Sequence, residues 1–362
     1  MRSSTLIRQV LAAFVMFSSV PTRISSGILQ CAGFSLSSVG RSITSQSHQR
    51  IEELQKSQSK EDLLVSNWFS DQAGILGTSR ICLSTSDKSV GGRGLFWVDD
   101  ERAYQGDVLA FIPSRCVITA ANLEAQFPGL QGMQESDASW QAKMTASASH
   151  CLKSPGNDYM NRVEWIKSWQ GGGPSGPQPS EFYSTEELNQ LGVAAESTVD
   201  VVEKKIDERY ATFMHDFERM KKEKFYESSS AEFGELYSIA ISRTACLGPI
   251  WHNQRGIIPV HDFVNHPPPS SRSNVELICF GDLRKMSGFV HANELLKRVK
   301  KDPNETTKDV YFEPKDDDVL LVASRDIQIG NELWLSYRDS QNIETDEEQI
   351  WLMLQYGFPL HL

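Results

Sequence analysis

The stretch "GIIPVHDFVNHPPPSSRSNVEL", residues 256–277, places His261, Asp262 and His266 within six positions and sets three prolines directly behind them. Such a cluster suits a metal centre, a hydrolytic acid/base group, or a backbone construction that presents polar side chains into a crevice. Metal-binding pairs on a helix favour i,i+4, where both rings share a face. His261 and His266 are five apart, and His150, His215, His252 and His291 sit in no ligand-spaced motif. A metal-dependent hydrolase built on His261, Asp262 and His266 would need ligands from elsewhere in the chain. The backbone construction needs less. Pro267 biases His266 away from helix, and Pro259 interrupts the apolar "RGIIPVHDFV". A short buried turn carrying Asp262, Asn265 and His266 is expected, better suited to holding a polar small molecule than to abstracting a proton.

Upstream, "GGRGLFWVDDERAYQGDVLAFIPSRCVIT" (91–119) has apolar runs at Leu95–Val98 and Val108–Ile112, which predict two strands joined by a turn at Gly106. Downstream, "VLLVASRDIQIGNELWLSY" (319–337) has the same grammar: an apolar strand to Ala323, a Gly330-Asn331 turn signal, then alternation at Leu333, Leu335 and Tyr337. Both units are expected in one β-rich module. Between them, residues 121–168 and 181–240 have helical content. Val202, Ile206, Tyr210, Phe213 and Phe217 mark one apolar stripe on a charged helix, and "QGGGPSGPQPS" (170–180) has the composition of a flexible loop. The expected architecture is α+β: a β-rich module of small sheets over 91–362, interrupted by a helical insertion at about 121–235. A shorter charged insertion is expected at about 283–310, and a flanking helix and linker over 51–90.

The first fifty residues differ from the rest. They hold five arginines and no carboxylate before Glu52, are about a quarter serine, and contain the apolar run "VLAAFVMFSSV" at 10–20. That run is shorter than the ~20 residues of a membrane span, so residues 1–50 are expected to be a targeting leader rather than a membrane anchor. The chain carries −11 and the leader +5, leaving −16 on the remainder. So acidic a body is a poor binder of nucleic-acid backbones and attracts basic segments. The cysteines, Cys31, Cys82, Cys116, Cys151, Cys246 and Cys279, form no C-x-x-C pair. No structural metal is indicated, and scattered thiols fit a reducing compartment.

Four segments together resemble SET-domain protein methyltransferases, in the subclass of the Rubisco large-subunit lysine methyltransferase. "GGRGLF" (91–96) is similar to the first motif of that family, and "LYSIAISRTA" (236–245) to its helix ending in Ser-Arg. "PVHDFVNH" (259–266) resembles its Asp-x-x-Asn-His motif. "GNELWLSY" (330–337) with "LMLQYGF" (352–358) resembles the catalytic strand and its closing Tyr-Gly-Phe. The likeness covers about 90–130 and 235–358.

The resemblance implies an S-adenosylmethionine-dependent protein-lysine N-methyltransferase, with S-adenosyl-L-methionine held by Gly92, Arg93, Gly94, Arg243, Asp262, Asn265 and His266. Tyr337 would line the methyl-transfer pore and Tyr356 would close it, with no metal. The partner would be a protein presenting a lysine, histidine staying open as acceptor. The leader would point to an organelle: a plastid, with the mitochondrion or secretory pathway as alternatives. The chain departs from the family at Arg338, where glycine is usual, in the long acidic stretch from Tyr337 to Tyr356, and in stopping at Leu362, without the subclass's C-terminal substrate-binding domain. A SET-fold module that binds partners without turnover is therefore the alternative from another class.

Overall fold

The segment VLAFI, residues 108–112, is apolar at every position, and a strand covered on both faces reads this way rather than alternating. The computed structural model describes residues 47–86, 92–153, 160–169, 196–267, 271–287 and 313–336. In chain order, helix α1 covers 47–56 and α2 Lys60–Asp71, before strands β1 (Ile81–Thr85), β2 (Arg93–Trp97), β3 (Val108–Ile112) and β4 (Ile118–Thr119). Helices α3 (Leu123–Gln126), α4 (Trp140–Lys153), α5 (Val163–Ser168), α6 (Glu196–Lys222) and α7 (Ser230–Ser242) follow. Strands β5 (Thr244–Cys246), β6 (Arg255–Ile257) and β7 (Val275–Cys279), helix α8 (Phe280–Ser287) and strand β8 (Val319–Ala323) complete the set. The fold is α+β, and the described residues form three small antiparallel sheets ordered β1-β2, β3-β8-β7 and β4-β6-β5.

The two hairpins expected from the sequence do not form. β2 pairs with β1, from Ile81↔Trp97 to Thr85↔Arg93, while β3 pairs with β8, more than 200 positions away. The reason is spacing: residues 98–107 separate β2 from β3, and hairpin loops run to about 2–5 residues. Likewise β8 does not fold back on the segment after Gly330. That segment instead bridges Phe96 through Glu332 and Asn265 through Trp334. The two sequence units thus interleave, each giving strands to sheets the other completes. β1, "ICLST", lies where only a linker was expected.

The helices pack through aromatic residues. Phe233 meets Phe213, Phe217, Tyr226 and Tyr237 at centroid distances of 4.9–5.7 Å. Of the expected apolar stripe, Phe213 and Phe217 are buried but Tyr210 is 43% exposed, stacked on Phe213 from the solvent side. α2 starts at a capping box, where Ser59 and Asp62 each accept from the other's backbone. α1 docks through buried Leu54 on Cys82 and Phe96, with Arg50 carbons over Gly330. The helix therefore includes residues 47–50 of the expected leader, and residues 1–46 lie outside the described part. Among the described residues no helix is long and apolar enough to cross a membrane. Among the described residues, Cys82, Cys116, Cys151, Cys246 and Cys279 form no disulfide. Burial pushes the Cys82 thiol up to about 12 and those of Cys116 and Cys279 up to about 11, so these three stay protonated at neutral pH.

Candidate functional site

The site is built on an unusual turn. Val260 is fully buried at φ 72°, ψ −55°, a γ-turn conformation rarely taken by β-branched residues. Hydrogen bonds from Asp262 N to Ile258 O and from Phe263 N to Val260 O, both 3.1 Å, hold it there. The 3₁₀ turn His261–Phe263 follows, sending His261 and Asp262 inward and leaving Asn265 and His266 half-buried. Backbone strain of this kind, ~1–3 kcal/mol, persists where the surroundings over-determine it, commonly beside functional groups.

Asp262 points into the helical insertion. Its Oδ2 accepts the indole N–H groups of Trp165 and Trp169, each at 2.8 Å, and its Oδ1 has no hydrogen-bond partner. Burial pushes the carboxyl up to about 6, against the opposing pull of Arg243 and the two indoles. Trp165 is stacked in turn on Trp68 of α2, 5.0 Å between centroids at 9°. Next door, burial holds His261 down at about 4, with Nδ1 lacking a partner, so its ring is neutral at physiological pH. Among the described residues no group of three histidine, cysteine or carboxylate side chains gathers to hold a metal. His261, Asp262 and His266 thus do not converge as the hydrolase alternative requires.

Two guanidinium groups lie over the Phe263 ring, Arg93 at 5.4 Å and Arg243 at 5.3 Å from its centroid. Arg243, the C-cap residue of α7, also donates from Nη1 to Asp262 O at 2.6 Å. Arg93 pairs with Asp62 of α2 and donates to Ser168 O at 2.9 Å. Gly92 takes φ 66° and leads into β2. A Cβ on Gly94 would lie 2.2 Å from Glu332 Oε1 and 2.9 Å from Asn265 Nδ2, so only glycine fits without a shift. Asn265 Nδ2 donates to Arg93 O at 2.5 Å and to Glu332 Oε1 at 3.0 Å, and Asn265 O accepts Leu335 N–H at 2.9 Å.

The fold thus gathers Gly92, Arg93, Gly94, Arg243, Asp262 and Asn265 around one turn, with His266 following at its rim. Tyr337 and Tyr356 lie outside the described residues. The sequence reading missed Glu332, Asp62, Ser86 and the tryptophan pair. Two signals were present: a lone acid directly before the apolar "LWL", and two tryptophans at i,i+4, which share a helix face. Chemically, the turn offers the Arg243 guanidinium, the fixed Asn265 amide and the backbone of residues 92–94 to a polar ligand, the Arg93 guanidinium being engaged by Asp62 and Ser168 O.

The protein has the fold of a SET domain. It is similar to "the SET domain of LSMT bound to Lysine and AdoHcy", with TM-score 0.54 and 13% identity, over 83% of this chain and 57% of that one. It is also similar to "Rubisco LSMT bound to Sinefungin and Monomethyllysine", with TM-score 0.52, 13% identity and the same coverage. The chain therefore spans 57% of the length of the structures it matches. No protein-family model and no curated protein matches the sequence.

Proposed function

We propose that the protein is an S-adenosylmethionine-dependent protein-lysine N-methyltransferase. The observation that carries this is the cradle at Gly94, where absent side-chain atoms let the backbone of β2 close on Asn265 and Glu332 inside a SET fold. The groups present fit such a ligand: the Arg243 guanidinium suits a carboxylate and the Asn265 amide suits amine or ribose groups, while Gly94 gives its room to the Glu332 carboxylate that abuts Asn265. Bound S-adenosylmethionine supplies an electrophilic methyl carbon whose bond to sulfur breaks as a neutral amine nitrogen takes the methyl, leaving a neutral thioether.

The chain's own groups do the rest. Arg243, Asn265 and His266 bind and orient the donor, with the backbone of Gly92, Arg93 and Gly94 beside it. Asp262 serves the same site by holding the turn on Trp165 and Trp169, which leaves Phe263 under the two arginines. Tyr337, two positions beyond Leu335, is assigned to the acceptor channel together with Tyr356. In-line displacement rewards alignment and exclusion of water more than a strong base. The acceptor lysine must still lose its proton, at about 4 kcal/mol near neutral pH from a reference pKa of ~10.4. A dry aromatic channel lowers that value. The protein substrate and a plastid destination belong to the same proposal, resting on the acidic body and the arginine- and serine-rich leader.

The test is calorimetric titration of the full chain with S-adenosylmethionine, beside an Asn265→Ala, His266→Ala double variant. Binding in the micromolar range that the double variant loses supports the donor site. A folded wild-type chain that does not bind overturns it. Binding with no methylated protein formed from an organelle extract favours the non-catalytic SET module.

A further inference from the structure

Glu332 stands between the Gly330-Asn331 turn and the apolar Leu333-Trp334-Leu335, only 7% exposed, with Leu333 and Trp334 buried beside it. Burying a carboxylate is costly unless hydrogen bonds replace its water. Here the replacements come from chain segments far apart in sequence. Ser86 Oγ donates to Oε2 at 2.8 Å and Asn265 Nδ2 donates to Oε1 at 3.0 Å. The backbone of Glu332 is fixed as well: its carbonyl accepts Asn274 Nδ2 at 2.9 Å, and the flanking Leu333 N–H donates to Leu95 O at 2.7 Å. The room for the carboxylate exists because Gly94 has no Cβ.

Consider what this does to Asn265. An amide nitrogen has two N–H groups, and here the two acceptors, Arg93 O at 2.5 Å and Glu332 Oε1 at 3.0 Å, use both. Neither acceptor can donate, so the amide cannot be turned end for end without placing oxygen against oxygen twice. The orientation of Oδ1, the remaining polar atom of the side chain, is thereby set.

We propose that Glu332 is a positioning residue of the ligand site: its carboxylate, steadied by Ser86, locks the Asn265 amide so that Oδ1 is presented as a fixed acceptor to a donor group of the bound nucleoside or amino acid. This rests on the methyl-donor site proposed above. Without Glu332 the amide keeps only Arg93 O as an acceptor, so it is held less firmly and part of the binding free energy is spent ordering it. The shape and acceptor of the side chain carry the effect. Glutamine can still accept from Asn265 while its amide donates to Ser86. Aspartate, one methylene shorter, cannot reach both.

The experiment is calorimetric binding of S-adenosylhomocysteine to the full chain, with thermal unfolding of every variant alongside. Glu332→Gln is expected to bind within threefold of wild type, and Glu332→Asp and Glu332→Ala at least tenfold more weakly. In an Asn265→Ala background, Glu332→Asp is expected to add less than a further threefold. Wild-type affinity in Glu332→Asp, or an equal loss in the Asn265→Ala background, overturns the inference while leaving the donor site standing. So does a Glu332→Gln chain as weak as Glu332→Asp. If Glu332→Ala does not fold, the aspartate and glutamine variants decide the matter. A folded wild-type chain that binds no S-adenosylhomocysteine overturns the donor site and this inference together.

Discussion

Arg93 and Asp62, 31 positions apart, meet as an ion pair whose side chains are only 11% and 4% exposed, tying α2 to the strand that carries the glycine cradle. Asp62 has a second task, since the same carboxylate closes the capping box of its own helix. The helix end and the ligand strand therefore depend on one side chain. Asp62→Ala leaves a buried guanidinium without its carboxylate and also loses the reciprocal half of the capping box, Ser59 still accepting the backbone N–H of residue 62. Removing one partner of a buried pair costs ~3–5 kcal/mol. The expected loss is at least about 3 kcal/mol by urea unfolding. An Asp62→Leu, Arg93→Met double variant is expected to lose less than Asp62→Ala alone, because no charge is left stranded. A single-variant loss below about 1 kcal/mol would show that the pair does not join these elements.

Asp262 sets a pH dependence with a definite sign. Burial raises its carboxyl from 3.8 to about 6, so the folded chain holds this proton more tightly than the unfolded one. The resulting stabilisation is fully present below pH ~4 and is lost as pH rises through about 6, amounting to about 3 kcal/mol at 1.36 kcal/mol per pH unit. Asp262→Asn removes this titration while keeping an acceptor for both indoles. Its stability relative to wild type is expected to climb by about 2 kcal/mol between pH 4 and pH 7, read as a difference of urea unfolding free energies. A difference that stays flat would mean that the carboxyl does not titrate as its burial requires.

These residues also show how far the sequence could be read. "HDFVNH" showed polar groups crowded into a turn ahead of prolines, and that turn exists. Its direction was not legible, because the partners of Asp262 are Trp165 and Trp169, 97 and 93 positions away. The apolar runs at 95–98 and 108–112 were legible as strands, since local burial leaves a local pattern. Their partners were not, because periodicity marks which face is covered and says nothing of which strand covers it. The spacer 98–107 was the available clue against a hairpin. β1 went unseen for a plainer reason: ICLST is short, and its polar Ser84 is buried through a hydroxyl contact with Ser57 that no periodicity announces.

Gly94 is the cradle's most sensitive position. An added methyl would lie 2.2 Å from Glu332 Oε1, against a side chain already held by Ser86 and Asn265. Gly94→Ala is expected to destabilise by about 1–3 kcal/mol, the usual range for overpacking. Donor binding is expected to weaken at least tenfold, because the group pushed aside is the one that holds Asn265. Calorimetry and urea unfolding on the same preparation measure both. Unchanged affinity would show that the cradle does not shape the ligand site.

Val260 tests the strained turn itself, through a reversal of an ordinary ranking. At most positions glycine is worse than alanine by roughly 0.5–1 kcal/mol, because the unfolded chain gains freedom. Val260 sits at φ 72° and is fully buried, so both substitutions remove packed methyl groups and leave a cavity. They differ in the backbone. Alanine retains a Cβ and with it the cost of this sparsely populated positive-φ backbone, ~1–3 kcal/mol, whereas glycine escapes most of it. Since that relief exceeds the entropic handicap, Val260→Gly is expected to be more stable than Val260→Ala by up to about 1 kcal/mol, with both less stable than wild type. The comparison needs only urea unfolding of three proteins. The ordinary order, alanine above glycine, would show that the chain does not hold a positive φ at this residue, and the inward aim of His261 and Asp262 would then need another origin.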